Sequence, residues 1–315
     1  VEAIRRTRGL VTAAVTAVVA CLLLFHTAVP RLPGNAMSLL ETFLPWLGLA
    51  VPAGLVVAVV RRSAVAAVAC LVAAVVWVGV FREVLLPSGA GSPAAYELTV
   101  VQHNVSDENT SPSRVARVLL GADPDVVALE ELTPESLPAY RTALGRTHPY
   151  HATVGSVGLW SAYPLVDIAR VDLRPRAVGS GWDRGLRAVV RGPRGEVATY
   201  VAHLPSVRVR PAEGYATAWR DESAVLLGRA LAAERAPTVL VLGDLNGTVD
   251  DRGLAPVTSR VRGSRGDFAF SWPAGVPLAR IDQVLARGAE VTATWTLPDT
   301  GSDHLPVAAR VRFPT

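Results

Sequence analysis

Two kinds of hydrophobic pattern divide the chain. The first 81 residues hold three long apolar runs, whereas the rest alternates short apolar runs with amphipathic stretches. Leu10–Val29 is 20 residues without a charge; Ser38–Val60 is broken only by Glu41, Pro45 and Pro52; Ala64–Phe81 has 18 residues. A run of about 20 apolar residues matches the hydrocarbon thickness of a bilayer, and soluble helices normally keep a polar face that these lack. The arginine-rich start of the first run also suits a signal peptide, but its length and the two runs behind it favour a retained span. The pattern therefore predicts three transmembrane helices, at about 10–29, 38–60 and 64–81, within a membrane region covering 1–86. Pro87–Ala95, "PSGAGSPAA", reads as a linker of turn-forming residues, and 96–315 as a separate domain.

In that domain strands are expected at Glu97–His103, Val126–Glu130, Ser156–Trp160, Leu186–Arg191, Glu196–Ala202, Thr238–Leu242, Ile281–Ala286 and Leu305–Arg312, with an edge strand near Glu290–Leu297. Helices are expected at Ser113–Gly121, capped by Ser111 or Ser113, at Pro134–Leu144 and at Pro211–Arg235. The last carries Ala218, Ala224, Val225, Leu227 and Leu231 on its buried side. Strands alternating with helices imply a layered α/β domain.

Charge separates the two parts as sharply as hydropathy does. Residues 1–81 hold six arginines and two glutamates, so the net +4 belongs there; the remaining 25 arginines balance 25 acidic residues. The pI near 9.5 thus gives no support for a polyanion-binding surface. The chain has no lysine, and its two cysteines, Cys21 and Cys70, lie in apolar runs, which excludes a disulfide framework or cysteine metal site in the polar domain. Arg5, Arg6 and Arg8 precede the first run and Arg61–Arg62 follow the second, while the intervening loop has only Arg31. By the positive-inside rule the N-terminus is cytoplasmic, and three crossings put the polar domain outside, in a multi-pass cell-membrane protein. His26 reads as a polar residue near a span end that faces the interface or a neighbouring helix.

The chemistry gathers where strands stop. "TVLVLGDLN" ends on Asp244 and Asn246, a pair that alone would be an ordinary solvated turn. Yet "LTVVQHN" ends on Asn104, "DVVALEE" on Glu131 and "VATYVAH" on His203; "ARIDQVL" carries Asp282, and "GSDHLPVAARV" places Asp303 and His304 before a strand. Six such ends drawn from Asn, Asp, Glu and His are not chance, because a sheet fixes the groups at its strand ends rigidly.

Taken in order, "QHNVS", "DPDVVALEEL", "WSAYPLV", "YVAHLPS", "LVLGDLN", "RIDQVL" and "GSDHLPV" resemble the endonuclease/exonuclease/phosphatase superfamily of metal-dependent phosphodiesterases over roughly residues 97–312. The resemblance implies a two-sheet, four-layer α/β sandwich, here preceded by the three helices. It implies that Asn104 and Glu131 hold Mg²⁺ or Mn²⁺, with Asp303 completing the metal site or steadying its neighbour. Asp244 would orient and deprotonate the attacking water, and Asn246 would bond that water or a phosphate oxygen. His304, held by Asp282, would contact the scissile phosphate, and His203 would act on the phosphate or leaving group. This chemistry is self-consistent: an anionic diester repels hydroxide, and a hard cation, a carboxylate base and an oriented imidazole each answer that. The chain departs from the usual pattern at Glu130, where Gln is usual, at Gln283, where His or Tyr is common, and at His103, which reads as structural. Since adjacent strand residues face opposite ways, only one of Glu130 and Glu131 should face the site.

Other candidates are weaker. His148 and His151 read as loop or surface residues, and Arg208 and Arg210 as a solvated charge run. Trp182, Asp183 and Arg184, in "GSGWDRG", form a Gly-rich loop that is a candidate for touching substrate. The reading is a membrane-anchored phosphoesterase acting on a phosphodiester or phosphomonoester, with a phospholipid or a nucleic acid as substrate. An extracellular nuclease and a non-catalytic receptor that keeps the fold are the alternatives.

Overall fold

The computed structural model describes residues 9–30, 32–85, 96–264 and 266–314. Arg5, Arg6, Arg8, Arg31 and the linker 87–95 lie outside the described residues. The N-terminal part forms helices α1 (Leu10–Phe25), α2 (Ala36–Thr42), α3 (Ala50–Val60) and α4 (Ala64–Val80). In the polar domain, strands run from β1 (Glu97–Asn104) to β14 (Val307–Arg312), with α5 (Pro112–Leu120), α6 (Leu137–Leu144) and α7 (Ala218–Ala233) between them.

Two mixed six-stranded sheets pack face to face. One has the order β13-β14-β1-β2-β4-β3 and the other β11-β12-β10-β7-β6-β5. The relevant strands are β2 (Val126–Glu130), β3 (Tyr150–Val154), β4 (Val157–Ser161), β5 (Leu165–Arg170), β6 (Gly185–Gly192), β7 (Gly195–Ala202), β10 (Val239–Asp244), β11 (Arg262–Gly263), β12 (Asp282–Arg287) and β13 (Glu290–Thr296). Period-two alternation decides which side chain goes where. Leu98, Val100, Val126 and Ala128 of the first sheet meet Leu186, Val201, Leu240, Leu242 and Val284 of the second in one core. Their neighbours face outward: Val101, Val127 and Leu129 pack under α5 and α6, and Ala198, Tyr200, Val239 and Val241 pack under α7. Helix, sheet, sheet, helix is the expected four-layer order.

The expected strands all form within two residues of their predicted ends, and β13 lies at a sheet edge. β3, β5 and β11 were not foreseen, nor was the hairpin β8 (Arg208–Arg210)–β9 (Gly214–Ala216). That hairpin replaces the first turns of the long helix expected from Pro211: Gly214 sits at φ +68, where glycine is favoured. On α7 the buried side is Ala224, Leu227 and Leu231 with Ser223 and Gly228; Ala218 and Val225 are exposed.

The three expected spans are corrected by the structure. Among the described residues one helix, Leu10–Ala28, is long and apolar enough to cross a membrane, with mean hydropathy 2.2 over its best window. The second run bends by 78° between Pro33–Thr42 and Leu44–Val60, so that it counts as one broken or re-entrant span at most. Its first half packs its polar side against the polar domain: Ser38, Glu41 and Thr42 are buried, Ser38 against Asp251 and Glu41 against Arg252. The third, Ala64–Val80, has 17 residues, about 25 Å of helix against a hydrocarbon core of about 30 Å. Counting apolar letters missed both effects. Without three crossings, the parity that put the polar domain outside is no longer fixed.

Candidate active site

The inner faces of both sheets are apolar through their middle and turn polar at one end. Alternation carries Leu98 and Val100 on to Gln102 and Asn104, and Val126 and Ala128 on to Glu130. In the facing sheet it carries Val201 on to His203, Leu240 and Leu242 on to Asp244, and Val284 back to Asp282. The polar residues thus continue the rows that make the core, and they meet between the sheets.

Asp244, buried, is the hub. Its Oδ2 accepts from Asn104 Nδ2 and from Asn246 Nδ2, each at 3.2 Å, and lies 3.7 Å from His203 Nε2 and 3.8 Å from His304 Nε2. Its Oδ1 accepts the Asn246 backbone N–H at 2.9 Å. Asn246 holds the left-handed φ of +48, which Asn tolerates, and donates to the Leu204 carbonyl. Gly243 before it approaches β7 closely: a Cβ there would meet the Ala202 carbonyl oxygen at 2.0 Å.

His304 Nδ1 contacts Asp282 Oδ2 at 2.8 Å. The same Oδ2 accepts from Ser271 Oγ at 2.6 Å, and Oδ1 accepts from Gln102 Nε2 at 2.9 Å. Burial works against an imidazolium at His304, but Asp282 and then Asp244 outweigh it, with help from Asp303, and its pKa is pushed up to about 10. His203 behaves oppositely. Burial, then the Arg184 and His304 cations, hold its pKa well below the usual imidazole range, so it is neutral at pH 7. Burial pushes Asp244 up to about 7, against the pull of His304 and with the repulsion of Asp282.

Glu130 and Glu131 both serve the site, in different ways. Glu130 faces inward, fully buried, and accepts from Gln102 Nε2 at 3.1 Å. Burial, then the charges of Asp282 and Asp244, push its pKa well above the carboxylate range. Strand alternation would send Glu131 outward, but its backbone turns left-handed, φ +60. The side chain therefore swings to the mouth, with Oε1 3.7 Å from His203 Nε2 and Oε2 accepting from the Asp107 N–H.

Asp303 is less engaged. Its side chain is 66% exposed, with Oδ2 3.9 Å from His304 Nε2. Among the described residues Asp244, Asp282 and His304 bring ligand atoms within 4.8 Å of one another. The trio is also hydrogen-bonded, with three contacts on Asp282 from Ser271, Gln102 and His304. The oxygen donors that suit a hard divalent cation are those of Asn104 and Glu131; Glu131 Oε1 and Asp244 Oδ2 share His203 Nε2 as a neighbour at 3.7 Å. The residues fit such an ion.

Some members had little or no sequence signal. Arg184, singled out only as a candidate, places its guanidinium 3.2 Å from His203 Nδ1 and over the Trp182 ring. Gln102 is legible in hindsight, two residues before Asn104 on one strand face. Ser271, and Ser302, whose Oγ donates to the Asn104 carbonyl, have no signal. His103 is buried on the outer face against Thr300 Oγ1, as a structural residue. His148 is not at the surface as expected: it is buried, 2.8 Å from the Pro124 carbonyl oxygen. His151 is exposed and stacks on Trp160, so the two make no metal pair. Arg208 is exposed, and Arg210 pairs with Glu213 in the open.

Comparison with known proteins bears on this arrangement. The profile of the Endonuclease/Exonuclease/phosphatase family matches residues 101–304. The chain belongs to that family. Solved structures with the same fold include sphingomyelinase C from Streptomyces griseocarneus, 20% identical, TM-score 0.52, covering 70% of this chain and all of that one. An endonuclease/exonuclease/phosphatase from Beutenbergia cavernae is 19% identical, TM-score 0.54, covering 69% and 72%. A beta toxin variant from Staphylococcus aureus with bound magnesium ions is 16% identical, TM-score 0.53, covering 70% and 100%. No curated protein matches the sequence. The family match runs from within β1 to His304, and only β14 among the sandwich strands lies wholly beyond it.

Proposed function

We propose that this family member is a divalent-metal-dependent phosphoesterase that hydrolyses a phosphodiester by direct attack of water, held at a membrane by its apolar helices. The observation that carries the reading is the geometry at Asp244: a buried carboxylate with Asn104, Asn246, His203 and His304 around it. A carboxylate so placed can take a proton from an attacking water. Asp244 accepts the water proton as the oxygen bonds to phosphorus. The bond to the leaving alkoxide breaks, and the alkoxide takes a proton from solvent. Asn246, fixed by the Leu204 carbonyl and Asp244, orients the water. His304, kept cationic by Asp282, donates Nε2–H to a phosphoryl oxygen, and Arg184 and neutral His203 lie across from it. Asn104 and Glu131, with Asp303 beside His304, would hold Mg²⁺ or Mn²⁺, which supplies Lewis-acid charge to the phosphoryl group. Such fixed positive groups stabilise the charge that develops in the transition state.

Membrane association is supported by the outer surface of the helical part. Val11, Val59, Val60 and Val75 are each more than 70% exposed, and so many exposed apolar side chains suit lipid better than water. A phospholipid headgroup is therefore the first substrate to test, with nucleic acid as the alternative. The test uses full-length protein in lipid nanodiscs with bis(p-nitrophenyl) phosphate, a phosphomonoester, DNA and phospholipid vesicles, in Mg²⁺, Mn²⁺ or EDTA. Turnover is expected with metal, abolished by EDTA and reduced about 10²–10⁴-fold in Asp244→Ala and His304→Ala. No metal-dependent turnover on any substrate leaves the non-catalytic alternative, and full activity in Asp244→Ala refutes the site.

A further inference from the structure

The turn that carries Asp244 and Asn246 is gripped from behind at almost every residue, and half of the grip comes from the apolar N-terminal part. Arg220 of α7 has a fully buried side chain and donates Nη1–H to the Asn246 carbonyl at 3.0 Å. Its Nη2 bonds Asp251 Oδ2 at 2.8 Å and Ser38 Oγ at 3.2 Å. Ser38 Oγ donates to the same Asp251 oxygen at 2.6 Å. Gln283 Nε2 donates to the Gly247 carbonyl, and Thr248 Oγ1 to the Glu41 carbonyl. At the end of the turn Arg252 closes a second cluster. Its guanidinium and backbone N–H donate to both oxygens of Glu41, at 2.7 to 3.1 Å. Its remaining donors take the Val29 and His26 carbonyls, at the end of the first apolar helix.

A tether needs none of this. Glu41 is completely buried within an otherwise apolar run, and a buried carboxylate is strongly unfavourable unless it is paired and hydrogen-bonded. His26 Nδ1 lies 3.2 Å from Glu41 Oε1, but the guanidinium that pairs with this carboxylate comes from the turn, and Arg252, partly buried, gains its counter-ion in return. Two lines run from the helices to the reacting end. One passes from Ser38 through Asp251 and Arg220 to the Asn246 carbonyl; the other passes from Glu41 to Thr248 and Arg252.

We infer that Glu41, with Ser38, is a positioning residue for the Asp244–Asn246 turn, so that the apolar N-terminal part is a component of the catalytic unit. For its kinetic arm the inference rests on the hydrolytic reading above; its structural arm does not. The test compares full-length wild type, Glu41→Gln, Ser38→Ala, Arg252→Glu and the exchanged pair Glu41→Arg/Arg252→Glu in nanodiscs. Hydrogen–deuterium exchange reads the turn directly and needs no substrate. Glu41→Gln preserves volume and part of the bonding, so it is the variant chosen to remain folded. It is expected to speed exchange over residues 246–252 about tenfold, with β1 and β2 unchanged, and Ser38→Ala to do so about threefold. In turnover of bis(p-nitrophenyl) phosphate, kcat should fall about tenfold in Glu41→Gln with KM nearly unchanged. The exchanged pair should recover more than half of the kcat lost in Arg252→Glu. Exchange over 246–252 at the wild-type rate in folded Glu41→Gln overturns the inference. So does an increase spread equally over β1 and β2, which marks a merely structural role. Wild type without turnover but with the localised exchange change sinks the hydrolytic reading and keeps this one.

Discussion

Replacing Asp282 by Asn tests the electrostatic core of the site. In the wild type, burial alone would hold His304 below the ordinary imidazole value of 6.5, yet Asp282, Asp244 and Asp303 push it up to about 10. At about 1.4 kcal/mol per unit, the rise favours the imidazolium by roughly 5 kcal/mol, most of it from the 2.8 Å contact with Asp282. Because the folded pKa lies above the unfolded one, the stabilisation is complete below about pH 6.5. It drains away as the pH rises through the folded value near 10. With Asn at 282 one hydrogen-bonding contour survives but its charge is gone, leaving only Asp244 and Asp303 to oppose burial. His304 should then titrate well below its wild-type value, toward pH 7. The assay is ¹H–¹³C NMR of ring-labelled histidines in metal-free protein, with melting temperature followed from pH 6 to 10. Wild-type His304 should stay protonated through pH 8.5 while the melting temperature falls toward pH 10; the variant should titrate near 7 and show a flat profile above it. A wild-type midpoint near 6.5, or the same midpoint in both proteins, refutes the reasoning.

The other expectations concern different parts of the molecule. Arg187, with Tyr200 and the Ala236 N–H, holds Glu234 at about 2 against the effect of burial. This stabilisation is present above about pH 4.5 and lost as the pH falls toward 2. Glu234→Gln should therefore cost about 2–3 kcal/mol in urea unfolding at pH 7, and nothing below pH 2. Gly243→Ala should unfold the β10–β7 pairing or cost about 3 kcal/mol by calorimetry, since its Cβ has no room beside the Ala202 carbonyl. Arg184→Gln should raise the pKa of His203 by removing the cation 3.2 Å away, which the same NMR titration reads. Glu131→Gln should weaken Mn²⁺ binding at least tenfold in calorimetric titration while leaving the melting temperature of metal-free protein unchanged.

The sandwich was legible because period-two patterning is a local property, and each strand announces its own two faces. The residues proposed for the site were legible for the same reason, since Asn104, His203 and Asp244 sit where an apolar row ends. What escaped was whatever depends on partners far along the chain. Nothing in "FSWPAG" marks Ser271 as a bond to Asp282, and nothing near Arg220 marks it as the support of Asn246. The apolar runs misled for a related reason. Their letters satisfy a bilayer, but Glu41 is buried by an arginine 211 residues away, and hydropathy does not count such a contact. The Glu130–Glu131 pair was decided by one backbone dihedral that no side-chain pattern encodes.

That dihedral has a consequence of its own. A non-glycine residue held left-handed carries strain of about 1 kcal/mol, which Gly would relieve. At position 131, then, the substitution that most relaxes the main chain is the one that strips the mouth of its glutamate. On the proposed function, selection for thermal robustness and selection for turnover pull in opposite directions at a single peptide unit. A laboratory screen for heat tolerance alone would be expected to enrich Glu131→Gly and deliver a sturdier, inert protein.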